Sequence, residues 1–321
     1  MNRGGLQNIS WTPKWVMPAR RRCGQGSLTG LSRTASRHWQ RPDRRSAITR
    51  RCEPILIKNV MIDTGALLVD KGSNEQHDVS KIIAELDERG FCVIPGVITT
   101  EKADEARTVL EGLLAEEATE GTWRARTQRV ARIAVKDPIF VELMTHPLIV
   151  SIWREYLDED MICSTWTSNT AYPGFNRYGW HPDFPFQFVN QPWPTDNVSG
   201  QTMWLLDDLT EENGGTGILP YSHLKGHRPP EEIRHEWIEE AEILTGQRGS
   251  VMVMNGKTWH SSRPNVTDKA RSVLLGMYCR PFYLTQEDMR AQLADLENPS
   301  ELVQQLMGAN QHQPGVVSNR Y

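Results

Sequence analysis

The sequence contains no hydrophobic run near the roughly 18–20 residues that a membrane-spanning helix needs, which excludes helical membrane proteins. Its five cysteines are widely spaced and form no Cys-x-x-Cys pair. This spacing argues against a disulfide framework or a structural zinc site and favours a reducing compartment. Cys92, Cys163 and Cys279 are therefore predicted to be small core residues. With 24 glycines and 19 prolines among 321 residues, fibrous and low-complexity architectures are also excluded.

Charge is distributed unevenly along the chain. The net charge of −4 divides into +11 over residues 1–52 and −15 over residues 53–321. The acidic body argues against nucleic acid and membrane surfaces as partners, and a small-molecule substrate is the expected partner.

The basic leader at residues 1–60 has no apolar periodicity, and it is predicted to be a disordered extension in front of a single domain at 61–321. Three interpretations stay open: an organelle-targeting segment, an arm for nucleic acid or membrane, and a start assigned too early with Met61 as the true first residue. Pro13, Pro18 and Pro42 interrupt any amphipathic helix, which weakens the targeting interpretation. We therefore expect a cytoplasmic protein, with a mitochondrial location as the alternative.

The body contains helical patterns first and short β-prone runs later. Apolar residues at 79, 82, 83 and 86 share one helix face, Gly90 ends that helix, and Thr99 or Thr100 is the N-cap of the next. Helices are predicted at 78–90, 99–115, 138–145, 147–157 and 230–243, and strands at 91–95, 161–166, 202–206, 217–219, 251–254 and 272–278. Short strands between Gly, Pro and Asn turns predict a mainly β fold with flanking helices, as a sandwich or barrel.

One group of residues indicates a metal-dependent chemical function. In the extended segment His181-Pro182-Asp183, an imidazole and a carboxylate project from the same face. His260 follows a second strand-like run, and Arg271 lies eleven residues further on. Two histidines and one carboxylate around a metal are typical of non-haem Fe(II) oxygenases, and an arginine fork suits the carboxylate of a co-substrate.

Four segments also carry a resemblance to a known family: Trp180-His181-Pro182-Asp183, the run from Glu212 to His227 (ENGGTGILPYSHLKGH), Trp259-His260-Ser261-Ser262 and Ala270-Arg271. In this order they resemble the phytanoyl-CoA dioxygenase (PhyH)-like family of Fe(II)- and 2-oxoglutarate-dependent oxygenases. The resemblance implies a double-stranded β-helix (jelly roll, cupin-like) of eight antiparallel strands, buttressed by N-terminal α-helices. It also implies Fe(II), the co-substrate 2-oxoglutarate and O2 as cofactors.

The same resemblance assigns residues. It implies that His181, Asp183 and His260 bind the metal and that Arg271, helped by Ser262, binds 2-oxoglutarate. A further basic or amide residue from the helical prelude is expected, with Arg132 and Gln128 as the candidates. Related halogenases have a small residue in place of the carboxylate, so the presence of Asp183 disfavours halogenation.

Residues 184–198 are too rich in proline for a central strand, and they are predicted to form a loop over the site. Within it, aromatic side chains would face an apolar substrate, and Gln187 or Asn190 would orient it. The predicted substrate-binding residues are Phe184, Phe186, Gln187, Asn190 and Trp193.

The predicted function is hydroxylation of an unactivated carbon of a small organic molecule, such as a secondary metabolite or an amino-acid-like or acyl substrate. Succinate and CO2 would be released. The main alternative is a non-catalytic jelly-roll binding protein that retains the metal triad. A second alternative is an RNA- or protein-modifying oxygenase that uses the basic leader as its arm. The sequence leaves the oligomeric state and the identity of the substrate open.

Overall fold

The computed structural model describes residues 77–183 and 185–309. The predicted extension at 1–60 and the candidate residue Phe184 lie outside these residues. Within the described part of the chain, no helix is both long and apolar enough to cross a bilayer.

Local capping signals define the helices that precede the sheets. The helix α1 (Val79–Arg89) begins where the Asp78 carboxylate accepts a hydrogen bond from the Ser80 amide, and it ends at Gly90 with φ of 89°. The other helices are α2 (Thr100–Glu117), α3 (Glu120–Ala125), α4 (Pro138–Met144), α5 (Pro147–Leu157), α6 (Met289–Gln292) and α7 (Glu301–Leu306). The predicted helices α1, α2, α4 and α5 are therefore confirmed, each within two residues of its expected ends.

Within residues 77–183 and 185–309, nine antiparallel strands form two sheets. They are β1 (Phe91–Ile94), β2 (Thr127–Gln128), β3 (Ile162–Ala171), β4 (Ser199–Leu205), β5 (Thr216–Ile218), β6 (Glu242–Leu244), β7 (Val251–Asn255), β8 (His260–Ser261) and β9 (Arg271–Cys279). The larger sheet has the order β1-β7-β4-β9-β3-β2 and the smaller one β6-β5-β8. A bridge between His181 and His260 adds a fourth extended segment beside β8. This architecture is the predicted jelly roll with flanking helices.

Side-chain alternation along the strands separates two cores. On β9, Val273 and Leu275 join the apolar cluster between the two sheets, together with Met203 of β4. Leu274 and Tyr278, on the opposite face of β9, join the larger cluster beneath the helices. The inner face of the larger sheet is therefore the wall of the barrel that contains the site.

The helical layer packs closely against the outer face of β4. The Trp153 indole of α5 lies over Gly200, where a Cβ atom would stand 2.1 Å from the ring. The same indole donates a 2.7 Å hydrogen bond to Thr202 Oγ1 and stacks on Tyr278. Only glycine fits at position 200.

The predicted helix at 230–243 is wrong. The segment contains a 3-10 turn at Glu231–Ile233 and then β6. The carbonyl oxygens of Arg234 and Glu236, which a helix would use internally, instead accept hydrogen bonds from the backbone N–H and the indole of Trp180. The three described cysteines are free and buried, as predicted.

Candidate metal centre

Three candidate metal ligands meet at the β8 edge of the smaller sheet: His181, Asp183 and His260. One donor atom from each lies within 4.8 Å of the others. Metal–ligand bonds of about 2.0–2.2 Å allow donor atoms up to about 4.4 Å apart, so small side-chain adjustments would bring all three onto one ion. In the described part of the chain, no other group of three such side chains meets this criterion.

Backbone hydrogen bonds orient both imidazole rings. His181 Nδ1 lies 2.6 Å from the Gly179 carbonyl and His260 Nδ1 lies 3.1 Å from the Thr258 carbonyl, so each Nδ1 carries the proton. The Nε2 lone pairs then face the carboxylate, and His260 Nε2 is 3.6 Å from Asp183 Oδ1. Burial and the neighbouring His260 lower the pKa of His181 to about 4, which favours the neutral, ligating form of the ring.

The environment of the Asp183 carboxylate shows whether a cation fits between these side chains. Asp183 Oδ2 is buried and has no hydrogen-bond partner in the described structure. Burying an ionised oxygen without a partner is costly, and a bound cation would remove that cost. The donor set of two imidazoles and one carboxylate suits Fe(II) with open coordination positions.

Arg271 is the first residue of β9, and alternation with Val273 and Leu275 places it on the inner face of the barrel. It is 3% exposed, and its guanidinium donates one hydrogen bond of 2.8 Å to the Gly214 carbonyl. Its Nε has no partner in the described structure. Burial lowers the pKa of Arg271 to about 10, while Asp207 acts in the opposite direction. This buried fork is available for an anion.

Glycine is required where Arg271 meets the turn after β4. Gly214 has φ of 95°, and a Cβ there would stand 3.1 Å from Arg271 Nη2 and 2.9 Å from the Arg263 carbonyl. The residue after Arg271 is also held in place: Asp207 Oδ2 accepts a 2.8 Å hydrogen bond from the Ser272 amide. These contacts hold the start of β9, and with it the arginine, in place.

The structure does not bring the two candidates from the helical prelude to the triad. Gln128 points away from the barrel: its amide donates to the Leu114 carbonyl and accepts from the Tyr172 hydroxyl. Arg132 is exposed and forms a 2.5 Å ion pair with Asp295. Both side chains are therefore occupied elsewhere.

The residue between them, Arg129, faces the site instead. Residues 127–130 run along the edge of β3, and Gln128 and Val130 face outwards, so Arg129 faces inwards. Loss of hydration lowers the pKa of Arg129, and the charge of Asp183 opposes that shift. The sequence carries no signal for this, because the face on which residue 129 lies is set by pairing with β3.

Gln201 is a second residue that the sequence analysis missed. It lies on β4 with the inward-facing Met203, and it is 7% exposed. Its amide oxygen is buried without a hydrogen-bond partner in the described structure. A buried amide of this kind inside the barrel is suited to orient a ligand. Ser262, by contrast, is half-buried directly after β8, where its carbonyl accepts a hydrogen bond from Ser261.

Two of the predicted substrate residues belong to a small core rather than to an open pocket. Phe186 and Trp193 are buried together, with ring centroids 5.1 Å apart, and they pack on Val198. Because both rings are buried in this small core, they do not present a surface to a ligand. Lys257 holds the same loop, since its ammonium group donates to the carbonyls of residues 194, 195 and 196.

On the side of Gln187, the loop borders an open cavity beside the metal-ligand candidates. A cavity of about 160 Å³ reaches His181 and contains the predicted residue Gln187, whose amide donates to the Pro182 carbonyl. Asn190 is exposed and is not among the residues that line this cavity. The other lining residues are Trp180, Pro182, Phe188, Arg228, Pro229, Glu231 and Arg234. A larger cavity of about 410 Å³ lies outside the barrel beside α2 and contains none of the three metal-ligand candidates.

Comparison with known proteins gives a consistent result. A sequence model of the family described as phytanoyl-CoA dioxygenase (PhyH) matches residues 86–273. A protein named dioxygenase af480 from Aspergillus fumigatus is 27% identical over 207 residues, which are 62% of this chain and 66% of that protein, just under two thirds of its length. An ectoine dioxygenase from Nocardia farcinica is 24% identical over 60% of this chain and 75% of its own length.

A similar fold occurs among solved structures. The crystal structure of HygX from Streptomyces hygroscopicus, with nickel and 2-oxoglutarate bound, superposes with a TM-score of 0.54 at 16% identity. The match covers 64% of this chain and 89% of HygX.

Proposed function

We propose that this chain, which belongs to the phytanoyl-CoA dioxygenase family, is a 2-oxoglutarate-dependent enzyme that uses iron and O2 and hydroxylates an unactivated carbon of a small organic molecule. In such a reaction one oxygen atom enters a C–H bond of the substrate. The other enters 2-oxoglutarate, which leaves as succinate and CO2. The atoms of O2 are thereby accounted for.

In this proposal His181, Asp183 and His260 hold Fe(II). The iron with 2-oxoglutarate supplies the activation of O2 that protein side chains cannot provide. The chain contributes ligand geometry: the two backbone carbonyls fix the imidazole rings, and Asp183 balances the charge of the cation. The buried, unpartnered Asp183 oxygen between the two histidines is the observation that carries the proposal.

Arg271 binds the distal carboxylate of 2-oxoglutarate in the same proposal. Its buried fork has donors to spare, and a dicarboxylate would satisfy them. Arg129 and Gln201, which both lie on the inner face of the larger sheet, are proposed to contact the co-substrate or the substrate, and Ser262 is retained as a helper of Arg271. Arg132 and Gln128 are not retained, because both are bonded elsewhere.

The test uses the full-length protein under anaerobic conditions. Adding Fe(II) and then 2-oxoglutarate should produce the visible metal-to-keto-acid charge-transfer band, and His260→Ala should abolish it. His235→Ala, at an exposed histidine, is the matched control and should leave the band intact. A wild-type protein with no band at saturating iron and 2-oxoglutarate would refute the proposed site.

Catalysis is tested by admitting O2 with a panel of small organic molecules and measuring succinate and hydroxylated product in equal amounts. A non-catalytic binding protein would show the charge-transfer band without substrate-dependent succinate. We propose a cytoplasmic location, which fractionation of cells expressing the full chain would test.

A further inference from the structure

The cavity beside His181 has an uneven charge, in contrast to the acidic body around it. Two arginines, Arg228 and Arg234, and one acid, Glu231, line it. Arg234 lies 3.4 Å from the Glu231 carboxylate, so these two charges largely offset each other. Arg228 has no acidic partner within 4 Å in the described structure, and it provides the excess positive charge of the cavity.

Arg228 is held in place by the loop opposite. With its amide oxygen turned towards Arg228, Gln191 accepts hydrogen bonds from Arg228 Nε at 2.8 Å and from its backbone amide at 3.3 Å. The neighbouring Gly226 carbonyl accepts a 2.7 Å hydrogen bond from the Trp193 amide. A guanidinium fixed through Nε keeps both terminal nitrogens for a ligand and loses little entropy on binding.

Apart from His181 and the Gln187 amide, the remaining lining of the cavity is apolar or aromatic. Phe188 is 76% exposed, and Pro229 lies next to Arg228. An anion alone would leave this apolar surface in water, whereas a molecule with an apolar body would cover it.

We propose that the substrate is an amphipathic organic anion whose carboxylate or phosphate group binds Arg228 at the rim. Its apolar body lies along Phe188 and Pro229 towards His181. This proposal rests on the proposed function, because it names the substrate class of the same site. Glu231 sets a limit on the charge of the ligand, since it would repel a second anionic group near Arg234.

The test uses the full-length protein loaded with Ni(II) and saturating 2-oxoglutarate. Nickel prevents turnover, and 2-oxoglutarate keeps the probe away from Arg271. The matched probes are 4-phenylbutanoate and 4-phenylbutanamide, which have the same shape and differ in charge. Binding is measured by calorimetry, and retained 2-oxoglutarate is followed by NMR.

We expect the acid to bind about tenfold more tightly than the amide. Arg228→Gln should remove that preference, and Arg228→Lys should restore part of it. Glu231→Gln should strengthen binding of the acid alone. Arg124→Gln, at an exposed arginine on α3 that does not line this cavity, should change nothing.

Equal affinities of the two probes, no millimolar binding of either, or a preference that survives Arg228→Gln would each overturn the proposal. These outcomes differ from failure of the proposed function. If the proposed metal site fails, 2-oxoglutarate itself would not bind to the nickel-loaded protein, which the NMR signal reports before any probe is added. If only catalysis fails, the succinate assay described above reports it independently of probe binding.

Discussion

Replacing Arg271 by methionine should weaken binding of 2-oxoglutarate and, at the same time, stabilise the protein without its co-substrate. Burial lowers the pKa of Arg271 from its usual 12.5 to about 10. One pKa unit corresponds to about 1.4 kcal/mol, so holding this guanidinium charged inside the barrel costs about 3 kcal/mol. Its single hydrogen bond, to the Gly214 carbonyl, returns about 1–2 kcal/mol.

The net expectation for Arg271→Met is a gain of about 1–2 kcal/mol in the free energy of unfolding of the apo protein. Loss of the buried charge partner should cost about 2–5 kcal/mol of 2-oxoglutarate binding, at least about thirtyfold in Kd. Arg271→Lys keeps the charge without the fork, and its affinity should be intermediate.

The assay combines urea unfolding of the apo protein with calorimetric titration of 2-oxoglutarate into the anaerobic Fe(II) form. Arg124→Met, on the exposed surface of α3, is the control for substitution of an arginine as such. An apo Arg271→Met protein that is less stable than wild type by 2 kcal/mol or so, or one that binds 2-oxoglutarate normally, would refute this reasoning.

Five further substitutions test other parts of the structure. Asp183→Asn should weaken Fe(II) binding at least about tenfold in an anaerobic metal titration, and unchanged affinity would contradict the ligand assignment. Arg129→Gln should raise the KM for 2-oxoglutarate or substrate without changing the urea midpoint; a shift in the midpoint alone would indicate a structural role. Lys257→Met leaves three loop carbonyls without their donor and should lower the free energy of unfolding by about 2 kcal/mol, a result that equal denaturation curves would rule out. Gly200→Ala forces a methyl group into the Trp ring above it and should cost about 3 kcal/mol or more, whereas Gly112→Ala, in open space on α2, should stabilise by about 0.5–1 kcal/mol.

Local chemistry explains which elements could be predicted. The helix that Asp78 caps and Gly90 ends was predicted because caps act through hydrogen bonds between residues close in sequence. The helix prediction for residues 230–243 was wrong for the opposite reason. Its backbone carbonyls bond to Trp180, some 50 residues away, and no local pattern reports that contact.

The same distinction applies to the loop at 184–198. Its aromatic content and its place after the metal motif were visible in the sequence. Whether a given ring lines a cavity or fills a core depends on what packs behind it, and Phe186 and Trp193 pack against each other and Val198. Gln187 reaches the cavity because it lies on the side of the loop next to His181.

By itself the sequence determined the kinds of donor atoms, their order along the chain and the family to which they belong, since these depend on residue identity and short spacing. The tertiary structure alone decided which charged and polar side chains enter the barrel. Arg129 enters and Arg132 does not, and Gln201 enters although no motif marks it. The physical reason is that strand pairing sets the direction of every second side chain, and pairing depends on partners distant in sequence.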